Sequence, residues 1–305
     1  MNEEWYFVVN PKSGKGKGLM LWQEIQPLLQ QSNIPYAFDI SNYHQHTISL
    51  VNNQYKKGGR KFIGLGGDGT INEIVNGIFQ AQKFTLANPS IVGLIPVGTG
   101  NDWVRNHQPL TSTNIIERLK TKKYINHDVG VVKCANSSNH YFINVAGCGL
   151  DGAVTKEIGE LAQRDKKNKL SYLSSTIKAL INFKAPNAVI QVENQLVIQG
   201  KTLLAAASIG KYFGGGMLIS PKAHFSNGTL NFTVVKDDSK WVIFPQLYKL
   251  FNGKIENVSF VEKRTGNSIQ INTDMAIPVQ ADGENLGTHK KIGISVLKHA
   301  IQVLS

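Results

Sequence analysis

The stretch Gly66-Gly67-Asp68-Gly69-Thr70 decides the fold of the N-terminal part of this chain. It follows Phe62-Ile63-Gly64-Leu65, a short apolar run typical of a buried strand, and precedes apolar residues at helical spacing from Ile71 to Phe79. A glycine-rich turn between a strand and a helix lets a ligand approach the backbone, and the helix N-terminus behind it favours phosphate. The central aspartate would repel phosphate alone, so it indicates a divalent cation beside the phosphate.

Two further glycine-rich loops follow strand-like runs in the same way. The first begins with Asn10-Pro11-Lys12-Ser13-Gly14, continues to Gly18, and lacks the spacing of the Gly-x4-Gly-Lys-Ser/Thr phosphate loop. The second runs from Pro96 to Asp102 after the apolar stretch Ile91–Ile95. Because the carboxyl ends of parallel strands share one edge of a sheet, we expect the three loops to meet in one crevice.

Strand-like and helix-like segments alternate over the first 130 residues or so, which predicts an α/β domain with a doubly wound, mostly parallel sheet. Beyond that point strands and turns such as Asn227-Gly228 and Asp282-Gly283 dominate, interrupted by a basic helical stretch over about 153–183. We therefore expect an α/β domain over 1–128, a β-rich sandwich domain over 129–292 and a return of 293–305 to the first domain. The strands expected in the second part are Val129–Val132, Tyr141–Val145, Ala188–Val192, Leu203–Ile209, Leu230–Val235, Val258–Val261, Ser268–Ile271, Pro278–Ala281 and a last strand over Ile292–Leu297.

The composition restricts the class of partner and the compartment. Lys and Arg number 33 against 21 Asp and Glu, a net charge of +12 that favours an anionic partner. Zinc-finger, RNP and basic-zipper patterns are absent from the sequence, so nucleic acid is not the expected partner. Two cysteines cannot form a disulfide framework, and neither a run of 18 apolar residues nor a signal-peptide layout occurs. These features predict a cytoplasmic protein.

Six segments, taken in order, resemble the motifs of diacylglycerol kinase-type lipid kinases, a family related to sphingosine kinases and NAD kinases. The resemblance spans nearly the whole chain and implies the two-domain fold common to NAD kinases and diacylglycerol kinases. It also implies an ATP- and Mg²⁺-dependent lipid kinase that transfers the γ-phosphate to a hydroxyl of a membrane lipid, diacylglycerol by default. The six segments are Asn10–Gly14, Gly66–Glu73, Gly98–Asp102, Gly147–Gly152, Gly214–Met217 with Pro221 and Ala223, and Asp282–Glu284.

The same resemblance implies roles for individual residues. Asp68, Asp102 and Asp128 match an aspartate network around the magnesium of the nucleotide. Glu284 and Asp282 match the acidic pair that activates the lipid hydroxyl, with Glu284 the first choice as general base. The expected ATP-binding residues are Asn10, Pro11, Lys12, Ser13, Gly14, Thr47, Gly66, Gly67, Asp68, Gly69, Thr70, Asn72, Glu73 and Thr99.

One position departs from the family pattern. Relatives with a structural magnesium in the second domain have an aspartate where this chain has Asn227, with backbone carbonyls near His224 and Leu230 completing the site. Asparagine offers an oxygen without a charge, so the affinity for a hard dication should fall. A simple Asn-Gly turn is the stronger interpretation of this position.

Alternative functions and partners remain open at this point. An NAD kinase would share the string Gly66-Gly67-Asp68-Gly69 and a downstream acidic pair, and a catalytically weakened lipid-binding or regulatory protein would explain Asn227. The basic cluster Arg164–Lys169 beside Leu170 predicts peripheral attachment to the anionic inner face of the membrane. A homodimer through sheet faces is compatible with such a protein. The acceptor lipid is not specified by the sequence, and sphingoid bases, monoacylglycerol, phosphatidylglycerol and undecaprenol-like alcohols compete with diacylglycerol.

Overall fold

The computed structural model describes residues 4–82, 89–98, 101–135, 137–162, 178, 182–238, 240–246, 249, 253–254 and 258–305. The chain divides into two compact units, the first comprising Met1–Val129 with Lys298–Ser305 and the second comprising Gly130–Leu297. These boundaries fall at residues 129 and 298, against the expected 128 and 293. The basic cluster Arg164–Lys169 and Thr99 lie outside the described residues.

The first unit is a parallel sheet with helices between its strands. Within it the strands lie in the order β2 (Tyr36–Ile40), β1 (Trp5–Val9), β3 (Lys61–Gly66) and β4 (Ser90–Pro96), and residues Ile301–Val303 of the last strand of the chain pair with Ser90–Val92. Every one of these pairings is parallel, which confirms the predicted α/β architecture. The elements are β1 (Trp5–Val9), α1 (Lys17–Gln31), β2 (Tyr36–Ile40), α2 (His46–Lys56), β3 (Lys61–Gly66), α3 (Asp68–Ala81), β4 (Ser90–Pro96) and α4 (Ile115–Thr121).

Alternation along β3 shows why helices cover both faces of this sheet. Ile63 and Leu65 point into a core with Trp22 and Ile25 of α1 and with α4. Gly64 points the other way, where a Cβ would lie 2.9 Å from the side chain of Ile74 in α3. The sheet is therefore doubly wound. The strand order reverses between β1 and β3, and the crevice at such a reversal is where ligands bind in sheets of this kind.

The second unit is built from antiparallel strands. Two of its long strands, β9 (Gln195–Ser208) and β14 (Ser268–Ala281), each pair with β8 (Asn187–Val192) along one half and with β7 (Val145–Gly149) along the other. The elements that lie in or enter this unit are β5 (Tyr124–Cys134), β6 (His140–Phe142), β7 (Val145–Gly149), α5 (Leu150–Ala162), β8 (Asn187–Val192), β9 (Gln195–Ser208), β10 (Tyr212–Phe213), β11 (Met217–Leu218), β12 (Leu230–Lys236), α6 (Lys240–Ile243), β13 (Val261–Gly266), β14 (Ser268–Ala281) and β15 (Glu284–Leu304).

The core of the second unit lies between these paired strands. Cys148 of β7, Ile190 of β8, Ala205 of β9 and Val279 of β14 all belong to one buried cluster. Alternate residues of each strand enter this cluster, as expected when two β layers pack face to face. The expected sandwich-like arrangement is thus present. Among the described residues, no helix combines the length and hydropathy needed to cross a membrane.

Several predicted elements differ from the structure. The strand expected over Val258–Val261 is wrong, because Val258 accepts a hydrogen bond from the Val261 amide in a turn and β13 only begins at Val261. The two strands expected over Ser268–Ile271 and Pro278–Ala281 form one strand, β14, whose pairing with β15 shifts register after Asn272 and after Pro278. The polar residues between the two apolar runs made one strand resemble two.

Replacement of Ile301 tests the contribution of the C-terminal strand to the first unit. Ile301 is fully buried and pairs with Ser90 of β4. We expect Ile301→Ala to lower the free energy of unfolding by about 3 kcal/mol, because a cavity replaces buried methyl groups. Urea unfolding followed by circular dichroism measures this. Lys298→Ala, at an exposed position on the same strand, should change the free energy by no more than about 0.5 kcal/mol; equal losses in both variants would contradict the assignment.

Candidate functional site

Asn10 joins the loop after β1 to the start of α3. Its backbone amide donates to the Leu65 carbonyl at 3.0 Å, and its side-chain amide donates to the Thr70 hydroxyl at 3.4 Å. Residue 18 has to be glycine here, because a Cβ on Gly18 would lie 2.1 Å from the Asn10 carbonyl oxygen. The loop after β1 is therefore in direct contact with the loop between β3 and α3.

The loop after β4 contacts the other two. The Ser13 hydroxyl donates to the Val97 carbonyl at 2.9 Å, and the Val97 amide donates to the Gly66 carbonyl at 2.7 Å. Gly14 has a left-handed φ of 60°, and a Cβ there would lie 2.8 Å from a Val97 methyl group. Only glycine meets both requirements without strain. The structure thus brings the three loops together at the carboxyl ends of β1, β3 and β4.

The carboxylate of Asp68 fastens the loop after β4 to the first turn of α3. One oxygen accepts a hydrogen bond from the Asp102 amide at 2.9 Å, and the other accepts from the Trp103 amide at 3.0 Å. The buried Asp102 carboxylate lies 3.4 Å from the Arg105 guanidinium. Both oxygens of Asp68 are therefore in contact with main chain.

Asp128, expected in the same magnesium network, makes a different contact. It is fully buried on β5, and its carboxylate accepts from the His299 amide at 2.8 Å. Within the described ranges, no three His, Cys, Asp or Glu side chains are grouped closely enough to hold a metal ion. A magnesium ion carried by a nucleotide commonly uses phosphate oxygens and only one or two carboxylates. Asp68 and Asp102 are the expected pair that lies at the loops.

Three further residues expected to bind ATP lie on the helices α2 and α3. Thr47 of α2 and Asn72 of α3 are buried, and Asn72 accepts from the Asn76 side chain at 3.0 Å. The Glu73 carboxylate accepts from the Gln45 amide at 3.1 Å and thereby holds the turn that precedes α2. These contacts lie within α3 and between α3 and the turn before α2. Lys12, by contrast, is exposed on the first loop, as are Lys15 and Lys17.

In the second unit, the predicted acidic pair lies at the hairpin between β14 and β15. Asp282 and Gly283 form the turn with φ values of 48° and 87°. One Asp282 oxygen accepts from the Ile143 amide at 2.8 Å, and the other accepts from the amides of Asn144 and Val145 at 3.0 and 2.9 Å. Asp282 therefore holds the turn through main-chain contacts, and Glu284 follows as the first residue of β15.

The position of the doubtful structural magnesium is an Asn-Gly turn. The Asn227 side-chain oxygen accepts from both the amide and the hydroxyl of Thr229, each at 3.0 Å. The His224 ring lies 3.3 Å from the Ser226 amide, and Leu230 begins β12. Because the Asn227 oxygen is directed into its own turn, the geometry favours the turn interpretation. The metal site itself stays a prediction.

Two family models cover most of the chain. Residues 4–134 match the diacylglycerol kinase catalytic domain, and residues 144–305 match the YegS C-terminal NAD kinase beta sandwich-like domain. The chain belongs to the diacylglycerol kinase-type lipid kinases. The family resemblance noted in the sequence is thereby confirmed.

Individual relatives agree with this assignment. "Putative lipid kinase YtlR" of Bacillus subtilis (strain 168) is 26% identical over 298 residues, which cover 93% of this chain and 94% of the relative. A relative from Staphylococcus aureus (strain Newman) named "Putative lipid kinase" is 29% identical over 79% of this chain and 75% of its own length.

Solved structures show the same fold. A "putative diacylglycerol kinase" from Bacillus anthracis str. Sterne superposes with a TM-score of 0.77 at 23% identity, covering 99% of this chain and 97% of the other. Yeast NADH kinase superposes with a TM-score of 0.54 at 12% identity, covering 98% and 82%. At such identities the likeness establishes the fold, which is the two-domain arrangement shared by diacylglycerol kinases and NAD kinases.

Two polar residues of this lipid kinase received no role from the sequence. Asp151 and Gln280 are buried, and the Gln280 side-chain nitrogen donates to the Asp151 carboxylate at 2.6 Å. Burial raises the pKa of Asp151 to about 6, an effect that the hydrogen bond from Gln280 partly offsets. Asp151 stands in the motif Gly147–Gly152, which supported the family resemblance but gave none of its residues a role. Gln280 gave no signal, because one glutamine in an apolar strand has no characteristic spacing.

The raised pKa of Asp151 predicts a pH-dependent stability difference. The folded state disfavours the ionised form of Asp151. The protonated carboxyl therefore adds to the free energy of unfolding at low pH, and this stabilisation is lost as the pH rises from about 4 through 6. Asp151→Asn removes this dependence. The free energy of unfolding of the variant, relative to the wild type, should therefore rise by about 2 kcal/mol between pH 4.5 and 7.5. Urea unfolding at both pH values measures it, and a difference that stays constant would contradict the burial of an ionisable carboxyl.

Proposed function

We propose that this protein transfers the γ-phosphate of ATP, in the presence of Mg²⁺, to a hydroxyl of a membrane lipid, with diacylglycerol as the default acceptor. The observation that carries the proposal is the junction of three loops at the carboxyl ends of β1, β3 and β4 through Asn10, Ser13 and Asp68. This is the edge at which sheets of this order bind nucleotides. Family membership supplies the class of reaction.

The chemical character of these loops suits a polyphosphate. The N-terminus of the 14-residue helix α3 offers a partial positive charge, and Lys12, Lys15 and Lys17 are exposed on the adjoining loop. Asp68 and Asp102 would face the nucleotide's magnesium, which neutralises charge on the phosphate oxygens when bound. The loop amides and lysines would hold and orient the phosphates, which is most of what phosphoryl transfer asks of a protein.

Glu284 is the proposed general base. It follows the braced turn directly and is half-buried at the start of β15. A carboxylate within reach of the acceptor hydroxyl would take its proton as the new phosphate ester forms. Asp282 would keep the turn in place through the hydrogen bonds that its side chain accepts from three backbone amides. The names of the Bacillus and Staphylococcus relatives support a lipid as the acceptor.

An anionic membrane surface is the proposed place of action. The net charge of +12 supports electrostatic attraction to such a surface. A lipid acceptor makes contact with a bilayer necessary, because the hydroxyl to be phosphorylated lies at the level of the headgroups.

Exchange of the two acids separates their roles. We expect Glu284→Gln to lower kcat at least about 100-fold without changing the KM for ATP, since only proton transfer is lost. Asp282→Asn should instead reduce stability by about 1–2 kcal/mol together with activity, because an amide nitrogen would face backbone N–H groups. The assay measures ATP- and Mg²⁺-dependent phosphorylation of a panel of micellar lipid alcohols and of NAD. Asp274→Asn, an exposed carboxylate of β14, is the control.

Each result of this assay has a distinct meaning. Phosphorylated lipid that is lost in Glu284→Gln supports the proposal and identifies the lipid class. Turnover of NAD alone would show an NAD kinase. Binding of lipid without turnover of any acceptor would show a lipid-binding protein, and unchanged activity in Glu284→Gln would exclude it as the base.

Removal of the Asp68 carboxylate tests the nucleotide site independently of the acceptor. Asp68→Ala leaves the amides of Asp102 and Trp103 without their acceptor, so the third loop should lose its fixed position. We expect at least a tenfold weaker affinity for a fluorescent ATP analogue in the presence of Mg²⁺. Glu24→Ala, at an exposed position of α1, should bind like the wild type. Equal affinities in Asp68→Ala and the wild type would place the nucleotide elsewhere.

A further inference from the structure

We propose that Asp151 and Gln280 are positioning residues that hold the Asp282–Gly283 turn and thereby place Glu284. The inference rests on the proposed role of Glu284. It assigns a function to the motif Gly147–Gly152, and its test includes a measurement that does not depend on activity.

A continuous chain of hydrogen bonds links the first turn of α5 to the hairpin. The Gln280 side-chain nitrogen donates to the Asp151 carboxylate at 2.6 Å. The Gln280 side-chain oxygen accepts from the Gly283 amide at 3.0 Å. The carboxylate can only accept and the backbone amide can only donate, so the Gln280 amide has a single orientation that satisfies both.

The turn needs this support because of its conformation. Asp282 and Gly283 both have positive φ, at 48° and 87°, and a non-glycine residue such as Asp282 is strained there. The Asp282 side chain is held by the amides of residues 143–145. The Gly283 side of the turn is held by Gln280. Glu284 is the next residue, so these two sets of bonds fix its backbone from both sides of the turn.

The glycines of the motif make room for this arrangement. A Cβ on Gly147 would lie 2.3 Å from the Asp151 carboxylate oxygen. A Cβ on Gly152 would lie 2.5 Å from the backbone carbon and oxygen of Pro278, two residues before Gln280. Real Cβ atoms do not approach other atoms so closely. Both glycines therefore allow α5 to lie against β14 with Asp151 directed at Gln280.

Stability alone does not account for the pair. A buried carboxylate is disfavoured in the fold, as the raised pKa of Asp151 shows. Apolar residues of similar volume at buried polar pairs are often neutral or stabilising. A purely structural role would be served better by such residues. The pair is explained by the orientation that Gln280 gives to the turn.

Four variants test the proposal. Gln280→Leu and Asp151→Ala break the chain of hydrogen bonds, whereas Asp151→Asn keeps an oxygen that can accept from Gln280. Val279→Ala truncates a fully buried apolar neighbour on the same strand and serves as the control for lost packing. For each variant we measure kcat and the KM for ATP with the lipid panel. Hydrogen–deuterium exchange of the peptide over 279–286 is measured in parallel.

We expect Gln280→Leu and Asp151→Ala to lower kcat about 10- to 100-fold with the KM for ATP within twofold, since a small misplacement of a catalytic group is costly. Amide exchange in 279–286 should accelerate in both. Asp151→Asn should recover at least about a third of the wild-type kcat and the slow exchange, and Val279→Ala should leave kcat near that of the wild type.

Contrary results can be told apart. Unchanged kcat and exchange in Gln280→Leu would overturn the proposal, as would an Asp151→Asn variant as impaired as Asp151→Ala. A wild-type protein that phosphorylates none of the acceptors would refute the proposed function instead. The exchange measurement would in that case still decide whether Asp151 and Gln280 hold the turn.

Discussion

The junction of loops at the carboxyl ends of β1, β3 and β4 depends on the two hydrogen bonds that the Asp68 carboxylate accepts from the amides of Asp102 and Trp103. Charge-assisted bonds of this kind are about twice as strong as neutral ones. Asp68 also stands in the first turn of α3, where a negative charge is favourable beside the helix N-terminus. One residue thus stabilises the helix and fixes the loop after β4. Ser13 donates to Val97 of that loop, so this carboxylate also supports the contact between the loops after β1 and β4.

The second unit repeats the device with a different residue. Asp282 accepts three backbone amides and holds a left-handed turn, just as Asp68 holds a loop. In both places, the sequence predicts a metal-binding or catalytic role for an aspartate whose carboxylate accepts hydrogen bonds from backbone amides in the structure. An acid that is fully engaged in this way is a precise support and a poor proton acceptor, since proton transfer would require its existing bonds to break. The engaged carboxylate of Asp282 is consistent with the proposal of Glu284 as the base, which was also the first choice from the sequence.

The parallel sheet, the three loops and the family could all be predicted, because apolar periodicity and glycine spacing are local properties of the sequence. Features that depend on register could not. The polar residues within β14 made one strand look like two in the sequence. The turn at Val258 was predicted as a strand because its apolar residues are buried without being in one. Partners of buried polar groups are equally invisible in sequence. Neither the amides that face Asp282 nor the contact of Asp128 with His299 has a signature in residue spacing.

The motif Gly147–Gly152 shows how such long-range contacts enter a sequence. Its glycines are required by atoms far along the chain: the Asp151 carboxylate, which bonds Gln280, and the backbone of Pro278. A motif can therefore be determined by the geometry of a distant turn, here the turn that precedes the proposed base Glu284. The buried Asp151 charge weakens the fold, whereas the bond that it makes orients the Gln280 amide toward Gly283. In enzymes, a residue that lowers stability can be tolerated when it positions a catalytic group. The reason is that catalysis depends on geometry more steeply than folding does.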